Sequence, residues 1–149
     1  MPAIDVVSDA SVALKWFHAD GEEEVGPARA LVVAHQTRAI AIVVLDLTAY
    51  EIGNALLRGR AKVRPRQVAV VLEALAEICP AARPDVAELG LATELAERHK
   101  LTLYDAAYAA VARARNATLA TVDQALLHAS LGVRPSALAA KLGVPAAGD

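Results

Sequence analysis

Ile40-Ala41-Ile42-Val43-Val44-Leu45 is the stretch on which the fold turns. It is apolar throughout, mostly β-branched, and has the length of a strand. Strands exposed on one face alternate apolar with polar residues, so an unbroken run predicts a central strand of a parallel sheet, covered on both faces. Upstream, Ile4 to Ser8 is a shorter run of the same kind. The polar Asp9-Ala10-Ser11 after it predicts a strand passing directly into a helix that continues over Val12 to Phe17. Between the two strands, Glu22-Glu23-Glu24 is expected to open a helix ending near Gln36. Acidic residues in a first turn complement the helix dipole, and Val25, Ala28, Leu31 and Val32 recur at helical spacing.

Downstream, Thr48 to about Arg60 reads as a helix, with Thr48 and Glu51 in capping-box spacing and Gly59 near its end. Pro65 to Ile78 is expected to form another helix, Pro80 to Pro84 a turn-rich connection with a short edge strand hidden within Ile78 to Ala82, and Asp85 to Lys100 a further amphipathic helix. Thr102-Leu103-Tyr104-Asp105 opens a helix to about Arg115, and Thr118 to Val122 reads as a strand leading into Asp123 and a helix through Ser130. Residues 131–149 are expected to be a final strand or a tail. Strands alternating with helices predict one domain over residues 1–149, a three-layer α/β/α sandwich with a mainly parallel central sheet. Ligands of such sheets bind beyond the carboxyl ends of the strands. Asp9 and Asp123 each stand there.

The composition, 56% hydrophobic and 21% charged, is that of a folded chain with a real core. With 3% aromatic residues, it argues against a single-strand binder built on rows of stacking rings. The net charge of −2 supplies no global attraction to nucleic acid or an anionic membrane, so any RNA binding must come from a local basic patch or a bound cation. Cys79 is the single cysteine, which excludes an intrachain disulfide and a cysteine zinc set and suits a reducing compartment. No signal peptide or apolar run of about 18 residues is present, so the chain is expected to be cytoplasmic and free of the membrane.

Asp9, Glu51, Asp105 and Asp123 stand at or near predicted helix starts, each with a hydroxyl residue close by in Ser11, Thr48, Thr102 or Thr121. Taken singly, each acid is explained as a helix cap. Their apolar neighbours, Leu103-Tyr104 and Leu47 with Ala49-Tyr50, suggest buried surroundings, where an unpaired carboxylate is costly. Four carboxylates pooled in one pocket repel unless some stay protonated or hard divalent cations such as Mg²⁺ or Mn²⁺ take them as oxygen ligands. Such cations support hydrolysis of phosphodiesters by an activated water. Arg58, Arg60, Lys62, Arg64 and Arg66 form a basic run beyond the Glu51 helix, either a solvated loop or a rim that meets RNA phosphate or an acidic protein segment. The four histidines show no metal-ligand spacing and are expected at the surface or at helix ends.

Val7-Ser8-Asp9-Ala10-Ser11, Tyr50-Glu51-Ile52-Gly53-Asn54-Ala55-Leu56, Leu103-Tyr104-Asp105-Ala106-Ala107-Tyr108 and Ala120-Thr121-Val122-Asp123 resemble, in order and spacing, the four acid-bearing motifs of PIN domains, over about Ile4 to Ser130. The resemblance implies a Mg²⁺- or Mn²⁺-dependent endoribonuclease. Together with the compact length it implies the VapC-type toxin of a VapBC toxin–antitoxin pair, homodimeric and inhibited by a cognate antitoxin. Asp9 and Asp105 would then be the principal metal ligands and Glu51 and Asp123 would complete the pocket. Ser11, Asn54 and Thr121 would have supporting roles, although capping explains Ser11 and Thr121 equally well. Leu45-Asp46 departs from the family pattern, in which a proline often precedes the second helix. Three alternatives stay open: a PIN-type nuclease outside a toxin–antitoxin system, a phosphatase or DNA nuclease using the same acids, and a silent binding module whose acids only cap helices. A haloacid-dehalogenase-type phosphatase needs two aspartates two apart after the first strand, whereas Asp5 and Asp9 are four apart.

Overall fold

The structure, a computed structural model, describes residues 4–144. In chain order it contains β1 (Ile4–Ser8), α1 (Ala10–Ala13) continued by a 3₁₀ turn (Leu14–Trp16), α2 (Val25–Gln36), β2 (Ile40–Leu45), α3 (Asp46–Arg58), α4 (Pro65–Ile78), β3 (Ala81–Ala82), α5 (Val86–His99), α6 (Leu103–Ala114), β4 (Thr118–Ala120), α7 (Gln124–His128) and α8 (Pro135–Leu142). All strand pairs are parallel, in the order β3-β2-β1-β4, with Val6 opposite Ile42 on one side and Thr118 on the other.

Alternation along the two central strands separates two cores. Val6, Ile40, Ile42 and Val44 pack with Val12, Leu31, Ile52, Leu75 and Leu138, whereas Val7 and Leu45 pack with Leu95, Tyr108, Leu119 and Leu126. The sandwich is therefore α/β/α, as expected. The chain builds the sheet outward from β1 through β2 to β3, then returns across it to place β4 on the other side of β1. Because parallel crossovers are right-handed, that reversal puts α5 and α6 on the face opposite α1 to α4. It also opens a crevice at the carboxyl ends of β1 and β4, where the strand order switches.

Several boundaries differ from the sequence reading. Glu22 to Glu24 do not open α2. Glu24 adopts a left-handed conformation with φ 62° and Glu22 is committed to Lys15, so the helix begins at Val25. α3 starts at Asp46, directly after β2, and Thr48 lies inside it, accepting a bond from Leu45 N–H instead of capping with Glu51. β4 ends at Ala120, because the N–H of Thr121 turns to the carbonyl of Val133. The segment expected as a final strand or tail contributes a single parallel bridge, Val133 to Ala120, and then α8, with Pro135 in its first turn and Gly143 at its end with φ 66°. Residues 145–149 of that expectation lie outside the described residues. The short strand at Ala81–Ala82 and α5, capped by Asp85, fall where they were expected. His35 stands in the last turn of α2, a helix end as expected, and is half-buried there. Its Nδ1 accepts from Ile42 N–H at 3.0 Å, so Nε2 carries the proton donated to the Ile78 carbonyl at 2.9 Å. Among the described residues, no helix is long and apolar enough to cross a membrane.

Candidate active site

The crevice is built around Asp9, which ends β1 and caps α1. It is 4% exposed, and it accepts two bonds from its own helix start and one from the segment after β4. Oδ1 accepts from Val12 N–H at 3.1 Å and from Ser11 Oγ at 2.6 Å, and Oδ2 accepts from Thr121 Oγ1. The two hydroxyls are themselves held by the segment after β4, since Ser11 Oγ accepts from Val122 N–H and Thr121 Oγ1 from Asp123 N–H, both at 3.0 Å. Each hydroxyl relays a main-chain donor onto Asp9. Ser11 and Thr121 thus cap no helix; they position the carboxylate. A carboxylate offers about four acceptor sites, and three are used, which leaves one lone pair on Oδ2.

Asp123 follows β4 and caps α7 through Leu126 N–H at 3.0 Å. Asp105 lies in the first turn of α6, whose cap is Thr102, and Glu51 lies on α3. Glu51 is held by a second relay. Leu45 N–H donates to Thr48 Oγ1, and Tyr108 Oη donates to Glu51 Oε1 at 2.7 Å, so the Thr48 hydroxyl is left to donate to Tyr108 at 2.7 Å. Thr48 and Tyr108 are fully buried.

Electrostatics joins the four acids. Burial is the largest influence on Asp9 and pushes it up to about 6, against the lowering effect of its hydrogen bonds and with added repulsion from Asp123. Glu51 is raised first by burial and then by Asp105 and Asp123, and Asp105 by burial and Asp123. The same burial, with the charges of Glu51 and Asp9 nearby, raises the Tyr108 phenol, so it remains a donor. Among the described residues no group of three or more acids, histidines or cysteines stands close enough together to hold a metal ion as it is. The donor set is all oxygen, mutually repelling and open to solvent on the Glu51 and Asp105 side. That fits a hard cation such as Mg²⁺ or Mn²⁺, which is held by one or two carboxylates and keeps waters of its own.

Repulsion thus links Asp123 to each of Asp9, Glu51 and Asp105, and Glu51 to Asp105, while Ser11 and Thr121 stand against Asp9. Asn54 is exposed and makes no side-chain hydrogen bond among the described residues; it lines a groove of about 600 Å³ that leads away from the acids. Of the basic run, Arg58 and Arg60 line that groove with His18, Asp20 and Glu22, whereas Lys62, Arg64 and Arg66 do not. Asp46 is exposed, and Asp5 lines a different cavity at the other end of its strand, beside Arg115. The apolar neighbours did not signal burial. Tyr50 is 78% and Tyr104 68% exposed, and only Asp9 of the four acids is fully buried. Sequence reading missed Thr48 and Tyr108 as the support of Glu51. The signal was present, since Tyr108 lies one turn from Asp105 in a run of alanines, and a buried phenol needs a partner.

No curated protein matches the chain. Two solved structures resemble it over most of its length. PAE2754 from Pyrobaculum aerophilum superposes with a TM-score of 0.69 at 23% identity, covering 95% of this chain and 97% of that one. VapC20 from Mycobacterium tuberculosis, a toxin that cleaves the sarcin–ricin loop, superposes with a TM-score of 0.64 at 17% identity, covering 83% of this chain and 94% of that one. At these identities the likeness speaks for the fold. The PIN domain model matches residues 6–130, from the middle of β1 past the end of α7, a span that contains all four acids. The chain belongs to the PIN-domain family.

Proposed function

We propose that the protein is an endoribonuclease dependent on Mg²⁺ or Mn²⁺, the cytoplasmic toxin of a VapBC-type pair, homodimeric and held inactive by a cognate antitoxin. The observation that carries the reading is the mutual repulsion of Asp9, Glu51, Asp105 and Asp123 near the switch point of the sheet, with Asp9, Glu51 and Asp105 raised first by burial and then by the neighbouring carboxylates. The family and the fold shared with VapC20 support it. A bound divalent cation would neutralise the carboxylates, activate water and stabilise charge on the phosphate.

The chain's own residues would do the rest. Asp9, oriented by Ser11, Val12 and Thr121, would offer the free lone pair of Oδ2 as a ligand, and Asp105 would face it as the second principal ligand. Asp123 would close the pocket beside both. Glu51, oriented by Tyr108 through Oε1, would keep Oε2 free to accept the proton of the attacking water. Arg58 and Arg60 would meet either RNA phosphates or an acidic antitoxin segment along the groove that begins one turn beyond Glu51.

The test is cleavage of a mixed pool of single-stranded RNA, with DNA of the same sequences alongside, by the wild-type chain and Asp105→Asn, with Mg²⁺ or Mn²⁺ and with chelator. Discrete cuts in RNA that require both the cation and Asp105 are expected. Cutting of DNA with equal efficiency would move the assignment to a general nuclease, and cutting that survives both chelator and Asp105→Asn would refute it.

A further inference from the structure

One buried cation has no part in the chemistry above. Lys15 is 2% exposed, and its ammonium donates to Glu22 Oε2 at 2.6 Å. The pair borders a separate polar cavity of about 250 Å³ whose lining includes Glu23, Val122, Gln124 and Arg134. Its position follows from bonds already described. Lys15 lies four residues beyond Ser11, in the 3₁₀ turn that continues α1. Ser11 touches both Asp9 and Val122, and Val122 and Gln124 flank Asp123. The cavity therefore shares its wall with the segment that carries Asp123.

An ammonium withdrawn from water is costly unless well partnered, and of its three protons Glu22 takes one. Glu22 is an imperfect permanent partner. Its side chain is 26% exposed, and it sits in a connecting segment that includes left-handed Gly21 and Glu24 rather than in a helix. Only two ion pairs form among the described residues, and Arg134 is in neither of them. Two cations, Lys15 and Arg134, and two acids, Glu22 and Glu23, thus line one polar cavity, and Glu22 holds Lys15.

We propose that this cavity is a phosphate subsite for the nucleotide next to the scissile one, with Lys15 and Arg134 as donors and Glu22 as the resting counter-ion that Lys15 exchanges for phosphate. The proposal rests on the nuclease reading. It makes a prediction of sign that a purely structural ion pair does not. In an Asp105→Asn background, fluorescence anisotropy with a short, labelled, mixed-sequence single-stranded RNA measures affinity across a salt series. Arg134→Gln and Lys15→Met are each expected to weaken binding about tenfold and to reduce the salt slope by about one. Glu22→Gln is expected to strengthen binding, because it frees Lys15 and removes a negative charge. A structural pair predicts instead that Lys15→Met and Glu22→Gln act in the same direction, through lowered stability, while Arg134→Gln changes nothing; that result overturns the subsite. Should Lys15→Met fail to fold, Arg134→Gln and Glu22→Gln decide the matter alone. If the wild-type chain cuts RNA yet neither of those variants alters binding, the subsite falls alone. If the wild-type chain cuts no RNA and the Asp105→Asn chain binds none, the nuclease reading falls and takes the subsite with it.

Discussion

Asp9 carries most of the strain of the site, and its behaviour with pH follows from that. Its folded pKa of about 6 lies above the ordinary value of 3.8, so the folded chain binds this proton more tightly than the unfolded chain does. The stability linked to it is fully present below about 3.8 and is lost as pH rises through about 6, a difference of about 3 kcal/mol if no cation answers the charge. Melting curves of the chelated protein are expected to fall across that window and to recover on adding Mn²⁺, most strongly above pH 6, and Asp9→Asn is expected to flatten both effects. At Glu51 the opposing influence is the Tyr108 bond, which lowers its pKa. Tyr108→Phe should push Glu51 higher, so the acidic limb of the cleavage profile moves to higher pH. The loss of an acceptor for the buried Thr48 hydroxyl should cost about 1–2 kcal/mol in denaturant unfolding. The four acids stood out because together they match, in order and spacing, the acid-bearing motifs of PIN domains. The relays did not, since Thr121 reaches Asp9, and Tyr108 reaches Glu51, across distances no local pattern encodes.

Elements deliver these residues, and the sequence pattern was strongest where an element's reason is local. β1, β2, α4 and α5 follow from apolar periodicity, a proline in the first turn or an acidic cap. It failed where tertiary partners decide, as at Glu22, drawn to Lys15, and at Thr121, whose N–H leaves the strand for Val133. That last departure depends on Gly132. A Cβ there would stand 2.6 Å from Thr121 Cγ2 and 3.1 Å from the Leu119 carbonyl. Gly132→Ala is therefore expected to destabilise the chain by about 1–3 kcal/mol. It should also displace Thr121 from Asp9, so that more Mn²⁺ is needed for half-maximal cleavage than in the parent. Lost stability with an unaltered cation requirement would mean that β4 yields without disturbing the site.

At the scale of the molecule, the order β3-β2-β1-β4 is what gathers acids from four separate segments into one crevice, and the alternation of strands and helices made that architecture legible before the pairings were known. The segment after α7 was not legible, because α8 is short and its partner is distant in sequence. Leu138 is 2% exposed and belongs to the core that contains Leu31. A chain ending at Arg134 is expected to lose several kcal/mol, on the scale of a large core truncation, and to melt well below the full chain; equal melting would show α8 to be dispensable. The central claim is that the four carboxylates act as one cation site and are not four separate caps. Calorimetric titration of Mn²⁺ into the wild-type chain and into Asp9→Asn, Glu51→Gln, Asp105→Asn and Asp123→Asn, each verified as folded by circular dichroism, tests it most directly. The account predicts binding by the wild-type chain, its loss in Asp9→Asn and Asp105→Asn, and weakened binding in the other two; equal binding by all five chains, or by none, would contradict it.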